Sequence, residues 1–180
     1  MKYKKLTGVI LKKQNYREAD QIVSCWTREA GKVRVLAKAL RLPKSKLAYA
    51  LQDLSMVEIH SVGRNLPTLI GAKPLNQFNG LRIDLKKAAM GFYAAELMLK
   101  MTADEHPNTA AFDLLANFLQ QLDLVNPTPD YPFVDSFALN LAQILGFGTA
   151  QHSKTHRDVR NFIENLIERQ LQSEPFLISI

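Results

Sequence analysis

Cations spaced two apart on an otherwise apolar run are the first residues of this chain that could do chemistry. In Lys32-Val33-Arg34-Val35-Leu36-Ala37-Lys38-Ala39, Val33, Val35, Ala37 and Ala39 fall on one face and Lys32, Arg34 and Lys38 on the other. That division follows because successive side chains of a strand point to opposite sides. A cationic face of this kind binds phosphate: each side chain neutralises a backbone charge and releases a counterion. The run continues into Leu40-Arg41-Leu42-Pro43-Lys44-Ser45-Lys46. Pro43 cannot donate to a sheet ladder, so Arg41, Lys44 and Lys46 are expected on an exposed loop. Rings lie in the same basic stretch: Tyr16 in a polar connection, Trp26 and Tyr49. Aromatic rings beside a cationic groove stack nucleobases. Tyr16 is the stacking candidate, whereas Trp26, the one tryptophan, is expected in a core.

Charge is distributed unevenly about these residues. Residues 1–82 hold 16 Lys/Arg against 5 Asp/Glu, whereas residues 83–180 hold 7 against 12, for a net of +6 over the chain. Lysines keep sheet edges apart and proteins soluble, but an excess of eleven within 82 residues is more than solubility requires. A polyanionic partner is expected for the first part and not for the second.

Other chemistries find little support. There is no phosphate-loop signature, dinucleotide glycine fingerprint or GxSxG elbow. Cys25 is alone, which excludes an intrachain disulfide and fits a reducing compartment. In a strand it reads as a small buried hydrophobe rather than a nucleophile. His60 and His106 stand alone, and His152 and His156, four apart, lack the further ligands a structural zinc site needs. Carboxylates are scattered. Glu96, the exception, sits among apolar neighbours with Lys100 four residues on, the spacing of a helical ion pair. The chain is therefore expected to be no enzyme and to carry no metal or cofactor. It holds no run of about 18 apolar residues, so no membrane span is expected. The Lys12-Lys13 pair interrupts the N-terminal apolar run, which argues against a signal peptide.

The elements that position these residues read in two blocks. Strands are expected at Leu6–Lys13, with a bend or bulge at Gly8, at Gln21–Thr27, Lys32–Ala39, Leu51–Ser61 and Thr68–Lys73. Arg28-Glu29-Ala30-Gly31 makes a turn in which Gly31 takes positive φ. Five short strands at this spacing are compatible with a barrel of the oligonucleotide/oligosaccharide-binding (OB) type, among other small barrels. From Leu81 the period becomes helical. Helices are expected from Asp84 to Lys100, with Leu85, Met90, Phe92, Tyr93, Leu97 and Met101 in a broad apolar stripe, from Asn108 with Phe112, Leu115, Phe118, Leu119 and Leu122 inward, from Phe133 to Leu145, and from a Thr155–Asp158 capping box to Leu171. The fold class is α+β: an N-terminal barrel over residues 1–80 and an all-helical domain over residues 81–180.

These residues also carry a family resemblance. Gly8-Val9-Ile10-Leu11-Lys12, Tyr16-Arg17-Glu18-Ala19-Asp20, Thr27-Arg28-Glu29-Ala30-Gly31-Lys32, Ala37-Lys38, Arg41, Lys44-Ser45 and Leu51-Gln52-Asp53-Leu54 resemble, in order and spacing, the start of the RecO family of bacterial recombination mediators. Leu81-Arg82, Leu85, Tyr93, Glu96-Leu97, Pro107-Asn108, Phe112, Leu114-Leu115, Leu145-Gly146-Phe147 and Ser173-Glu174-Pro175-Phe176-Leu177 resemble its helical part. The resemblance implies an OB fold followed by a helical domain. It implies non-catalytic work in DNA repair and homologous recombination: binding single- and double-stranded DNA, annealing complementary strands, and helping RecA replace single-strand-binding protein. It implies RecR and the acidic, hydrophobic C-terminal tail of single-strand-binding protein as partners, RecA indirectly, and a cytoplasmic, nucleoid-associated location. Many members carry a four-cysteine zinc motif where this chain reads Gly148-Thr149-Ala150-Gln151-His152-Ser153-Lys154-Thr155-His156, so zinc does not carry over. The chain is short for the family, and no residues here are assigned to a tail-binding pocket. Lys32, Arg34, Lys38, Arg41, Lys44, Lys46 and Tyr16 are the expected DNA contacts. The alternatives are an RNA-binding OB factor and a scaffold whose basic face meets an acidic peptide.

Overall fold

The structure, a computed structural model, describes residues 2–148, 155–168 and 171–173. It divides into two compact units, one of residues 1–77 with 103–109 and the other of residues 78–102 with those from 110 onward.

Five strands close the barrel of the first unit: β1 (Tyr3–Tyr16), β2 (Asp20–Thr27), β3 (Gly31–Ala37), β4 (Met56–Val62) and β5 (Thr68–Asn76), in the order β1-β2-β3-β5-β4. β1 serves two neighbours. Tyr3 to Val9 pairs with β4, and Gly8 to Tyr16 pairs with β2. The change of partner needs a bend, and the register shifts between Ile10 and Lys12. Sequence placed a bend or bulge at Gly8; Gly8 lies where β1 changes partner, pairing with both Thr27 and Val57, and the bulge itself is at Leu11. Gly8 is required for closeness instead, since a Cβ there would stand 2.8 Å from both the Thr27 Cγ2 and the Trp26 carbonyl oxygen. Gly31 turns at φ 67 as expected.

Inward alternation builds the core. Leu6, Ile10, Val23, Cys25, Val33, Val35, Ala37, Val57, Ile59 and Leu69 form one buried cluster together with Leu40 and Leu51. Burial of roughly 2 kcal/mol per aliphatic side chain is the main force holding the barrel. Burial also pushes the Cys25 thiol up to about 12, leaving it protonated and unreactive at neutral pH.

Several boundaries differ from expectation, beginning with β1, which runs from Tyr3 to Tyr16 rather than from Leu6 to Lys13. β3 stops at Ala37, because Ala39 takes φ 53 in a turn. Residues 46–50 form a short helix, α1 (Lys46–Ala50), too brief to show a period. Leu51 to Ser55 is not strand: Leu54 turns at φ 63, and β4 begins only at Met56. β5 runs past Lys73 through Pro74, which is tolerated beside the register shift between Met56 and Val57.

The second unit is helical: α2 (Gly80–Ile83), α3 (Leu85–Met101), α4 (Thr109–Leu124), α5 (Tyr131–Ile144) and α6 (His156–Ile167). Asp84 caps α3 by accepting from the backbone N–H groups of Lys86 at 2.9 Å and Lys87 at 3.1 Å. Its hydrogen bond from Thr128 and those backbone donors hold its carboxyl below the ordinary aspartate value. Met90, Tyr93, Leu97 and Met98 are buried, whereas Leu85 and Phe92, read as part of the apolar stripe, are exposed. Phe112, Leu115, Phe118, Leu119 and Leu122 of α4 are buried as the spacing predicts. α5 begins at Tyr131, two residues before expectation, with Pro132 in its first turn. α6 opens on the Thr155–Asp158 capping box but ends at Ile167, where Glu168 takes φ 51.

Candidate nucleic-acid interface

The closed sheet turns the strand alternation into rows that run across three strands. Lys12 stands opposite Ser24, and Ser24 opposite Arg34. The next outward row is Gln14, Ile22 and Leu36, and β1 and β2 end on the pair Tyr16 and Asp20. Lys12 and Arg34 are exposed, and Ile22 and Leu36 half-buried. With neighbouring strands about 4.8 Å apart, Lys12 and Arg34 bracket a span of about 10 Å. The Leu11 bulge decides this arrangement, since it resets the register that brings Lys12 level with Arg34.

The basic loop after β3 is fastened to the turn between β1 and β2. The Arg41 N–H donates to the Ala19 carbonyl at 3.0 Å and its guanidinium to the Glu18 carbonyl at 3.0 Å. The Ala39 N–H donates to the Asp20 carboxylate at 2.8 Å. These bonds hold Lys38, Arg41, Lys44 and Lys46, all exposed, at the end of the barrel where Tyr16 and Arg17 turn. The Arg17 guanidinium lies 5.2 Å from the Tyr16 ring centre, so that half-buried ring is already stacked on one face. Lys12, Lys38, Lys44 and Lys46 make no ion pair among the described residues.

Lys32 is placed differently. Residues 103–109 run alongside β3: the Glu105 N–H donates to the Lys32 carbonyl at 2.9 Å, and Lys32 bridges to Asp104. The Asp104 carboxylate pairs with Lys32 at 3.2 Å and Arg34 at 3.4 Å. Lys32's side chain is only 13% exposed and Arg34's is 64% exposed. Of the two strand cations, Arg34 presents its charge to solvent while Lys32 holds a neighbouring segment.

The expected residues therefore converge, Lys32 apart, on one face and one end of the barrel. Two further residues that the sequence did not single out, Lys12 and Arg17, stand with them. Lys12 carried no signal because strand pairing alone brings it level with Arg34. Arg17 could have been suspected as the residue after Tyr16 in a polar turn. Trp26 is buried, in the outward row with Val9 and Lys32 rather than in the barrel's core cluster, which removes it from stacking. Tyr49 is 68% exposed on α1. Glu96 pairs with Lys100 at 2.7 Å and accepts from the backbone N–H groups of Gln172 and Ser173, each at 2.8 Å. His156 is bound to Asp135 at 2.6 Å and stacks on Tyr131. His152 lies outside the described residues, as does most of the Gly148–His156 stretch. Among the described residues no group of three or more His, Cys, Asp or Glu could hold a metal, and no helix is long and apolar enough to cross a membrane.

Comparison with known families agrees with this architecture. The model of the recombination protein O N-terminal region matches residues 1–78, and that of its C-terminal region matches residues 82–172. The chain belongs to the recombination protein O family. Among curated proteins, the DNA repair protein RecO of Salinibacter ruber is 34% identical over 148 residues, covering 79% of this chain and 56% of that protein. That of Geobacter metallireducens is 33% identical over 142 residues, 78% of this chain and 57% of that protein. That of Symbiobacterium thermophilum is 33% identical over 141 residues, 78% and 55% respectively. The chain spans a little more than half the length of these relatives. As in the family, the OB barrel comes first and the helices follow.

Proposed function

We propose that this RecO-family chain is a non-catalytic mediator of DNA repair and homologous recombination. It binds DNA on the β1–β2–β3 face and the adjoining loop, anneals complementary strands, and assists RecA loading onto DNA coated with single-strand-binding protein. The observation that carries the reading is the alignment of Lys12 and Arg34 across three strands, continued by exposed Lys38, Arg41, Lys44 and Lys46. Cations on extended side chains contact phosphates and leave base edges unread, which is the condition for a held strand to pair with another. Tyr16 offers one ring face to a base, with Arg17 behind it. The division of labour follows the charge: residues 1–80 take DNA, and residues 81–180, with RecR and the single-strand-binding protein tail, take protein partners, in a cytoplasmic setting at the nucleoid.

The test is annealing of complementary strands coated with single-strand-binding protein, run beside direct binding at low salt. The wild-type chain accelerates annealing. Arg34→Glu combined with Lys38→Glu abolishes binding and annealing without moving the thermal midpoint by more than a few degrees. Unchanged DNA affinity in that variant sinks the proposal. A preference for single-stranded RNA in competition points instead to an RNA-binding factor, and capture of an acidic peptide with negligible DNA affinity points to a scaffold.

A further inference from the structure

The opposite half of β1 builds a second outward face, with strands β4 and β5, that the basic groove does not use. Lys5 stands opposite His60, and His60 opposite Gly71; Tyr3 stands opposite Val62, and Glu58 opposite Lys73. Gly71 gives the middle of this face no side chain, and the extra residue in β5, Ile70, is 59% exposed beside it. Tyr3 is 55% exposed, with its ring centre 5.9 Å from that of His60.

The ring of Tyr3 is held in place by a chain of contacts. Its hydroxyl donates to Nδ1 of His60; Nε2 of His60 meets the Glu58 carboxylate at 2.9 Å, and Lys5 meets the other Glu58 oxygen at 3.0 Å. Those two partners, His60 first, hold the Glu58 carboxyl below its ordinary value. Lys73 is exposed beside them, and Lys2 and Arg64 are exposed where the Gly63 N–H donates to the Lys2 carbonyl. The carboxylates here are Glu58, already engaged, and Glu29, which accepts from the Thr7 N–H at the far end. A ring held in place and exposed on the outward surface that also carries exposed Ile70 and an excess of cations matches the needs of a nucleobase with its phosphates. The two ends of β1 thus each carry a tyrosine beside a nitrogen-bearing partner: Tyr3 with His60, and Tyr16 with Arg17.

We propose that the β1–β4–β5 face is a second station for single-stranded nucleic acid, so that one chain holds two strands at once. The inference rests on the reading of the β1–β2–β3 face as the first station. One barrel that grips two strands brings them together without needing a second copy of the chain, and phosphate-directed contacts leave both free to pair.

The experiment uses the full chain with two non-complementary oligothymidylates of about 12 nucleotides, one carrying a donor dye and one an acceptor. The wild-type chain gives energy transfer at two oligonucleotides per chain. Tyr3→Ala with Lys73→Glu is expected to lose most of that transfer while the affinity for a single oligonucleotide, read by anisotropy, changes less than threefold. Ile70→Glu, which removes no hydrogen bond, is expected to do the same, so a folding defect from losing the Tyr3 hydroxyl is separable. Transfer that persists in both variants overturns the second station. So does binding of an acidic peptide that the variants lose while transfer remains. Absence of any wild-type oligonucleotide binding would instead defeat the first reading.

Discussion

Four lysines of the barrel and three of the helical unit are the same residue in opposite settings. The described lysines of the helical unit are held in place. The Lys87 amine donates to the Val125 carbonyl at 2.6 Å and the residue is 8% exposed; Lys86 meets Asp130 at 3.3 Å and Lys100 meets Glu96 at 2.7 Å. In the barrel, Lys12, Lys38, Lys44 and Lys46 stand exposed, and Lys32 alone among the expected contacts is mostly buried. A buried lysine amine that already satisfies a carbonyl or a carboxylate has little to offer a phosphate, because the new bond must replace the old one, whereas exposed Arg34 and Arg41 keep further guanidinium donors beside the one engaged. Net charge by region therefore points to the barrel for a polyanion, and the pairing pattern shows which of its lysines stand exposed without an ion pair among the described residues.

Charge reversal is the sharpest way to break this comparison. Lys38→Glu, Lys44→Glu and Lys46→Glu together are expected to weaken DNA binding at low salt by about 100-fold or more with urea stability unchanged. Lys87→Glu is expected to do the reverse, lowering stability by about 3 kcal/mol in urea titration while the affinity of the remaining folded chain for DNA holds. If Lys87→Glu weakened binding and the barrel triple lowered stability, the division would be wrong.

A smaller effect comes from Glu96. Burial raises its carboxyl pKa, but hydrogen bonds from Lys100, Ser173 and the backbone N–H groups of Gln172 and Ser173 outweigh it and hold the group below the ordinary glutamate value. A carboxyl depressed in the folded state adds stability above its unfolded value of about 4.3 and loses it as pH falls through the lower folded value. Glu96→Gln should therefore cost about 1–2 kcal/mol at pH 7. In paired urea titrations, that gap should narrow progressively below about pH 4.3. A gap that widened on acidification would contradict the sign.

The smallest effect tests Asp104. Its carboxylate competes for Arg34 with any phosphate that approaches. Asp104→Asn is expected to raise affinity for a single strand by roughly threefold. It should also steepen the logarithmic salt dependence by about 0.7, the increment for one further phosphate contact on a single strand. An unchanged salt slope would show that Arg34 does not reach the strand.

Much of this was legible in the chain. Alternation located all five strands within a few residues, because inward Val33, Val35, Val57 and Ile59 are local statements about which side is dry. Capping chemistry located the starts of α3 and α6, since Asp84 and Thr155 bind donors two and three residues away. Errors fell where the cause lies elsewhere in the sequence. The exposure of Leu85 and Phe92 depends on which helices are present to cover them, and the Leu11 bulge on the exchange of β4 for β2 as partner.

The sequence by itself determined the two-part architecture, the sign of the charge on each part and the basic loop, because periodicity, composition and turn chemistry act over a few residues. Only the tertiary structure decided which cations stand together. It lifted Lys12 into line with Arg34 across two strand pairings, tied the Arg41 loop to the turn after Tyr16, and withdrew Lys32 into a pair with Asp104, 72 positions along the chain. Coulombic contacts act over a few ångströms of space whatever the separation in sequence. A cluster of cations from distant parts of the sequence therefore exists only once the sheet has closed.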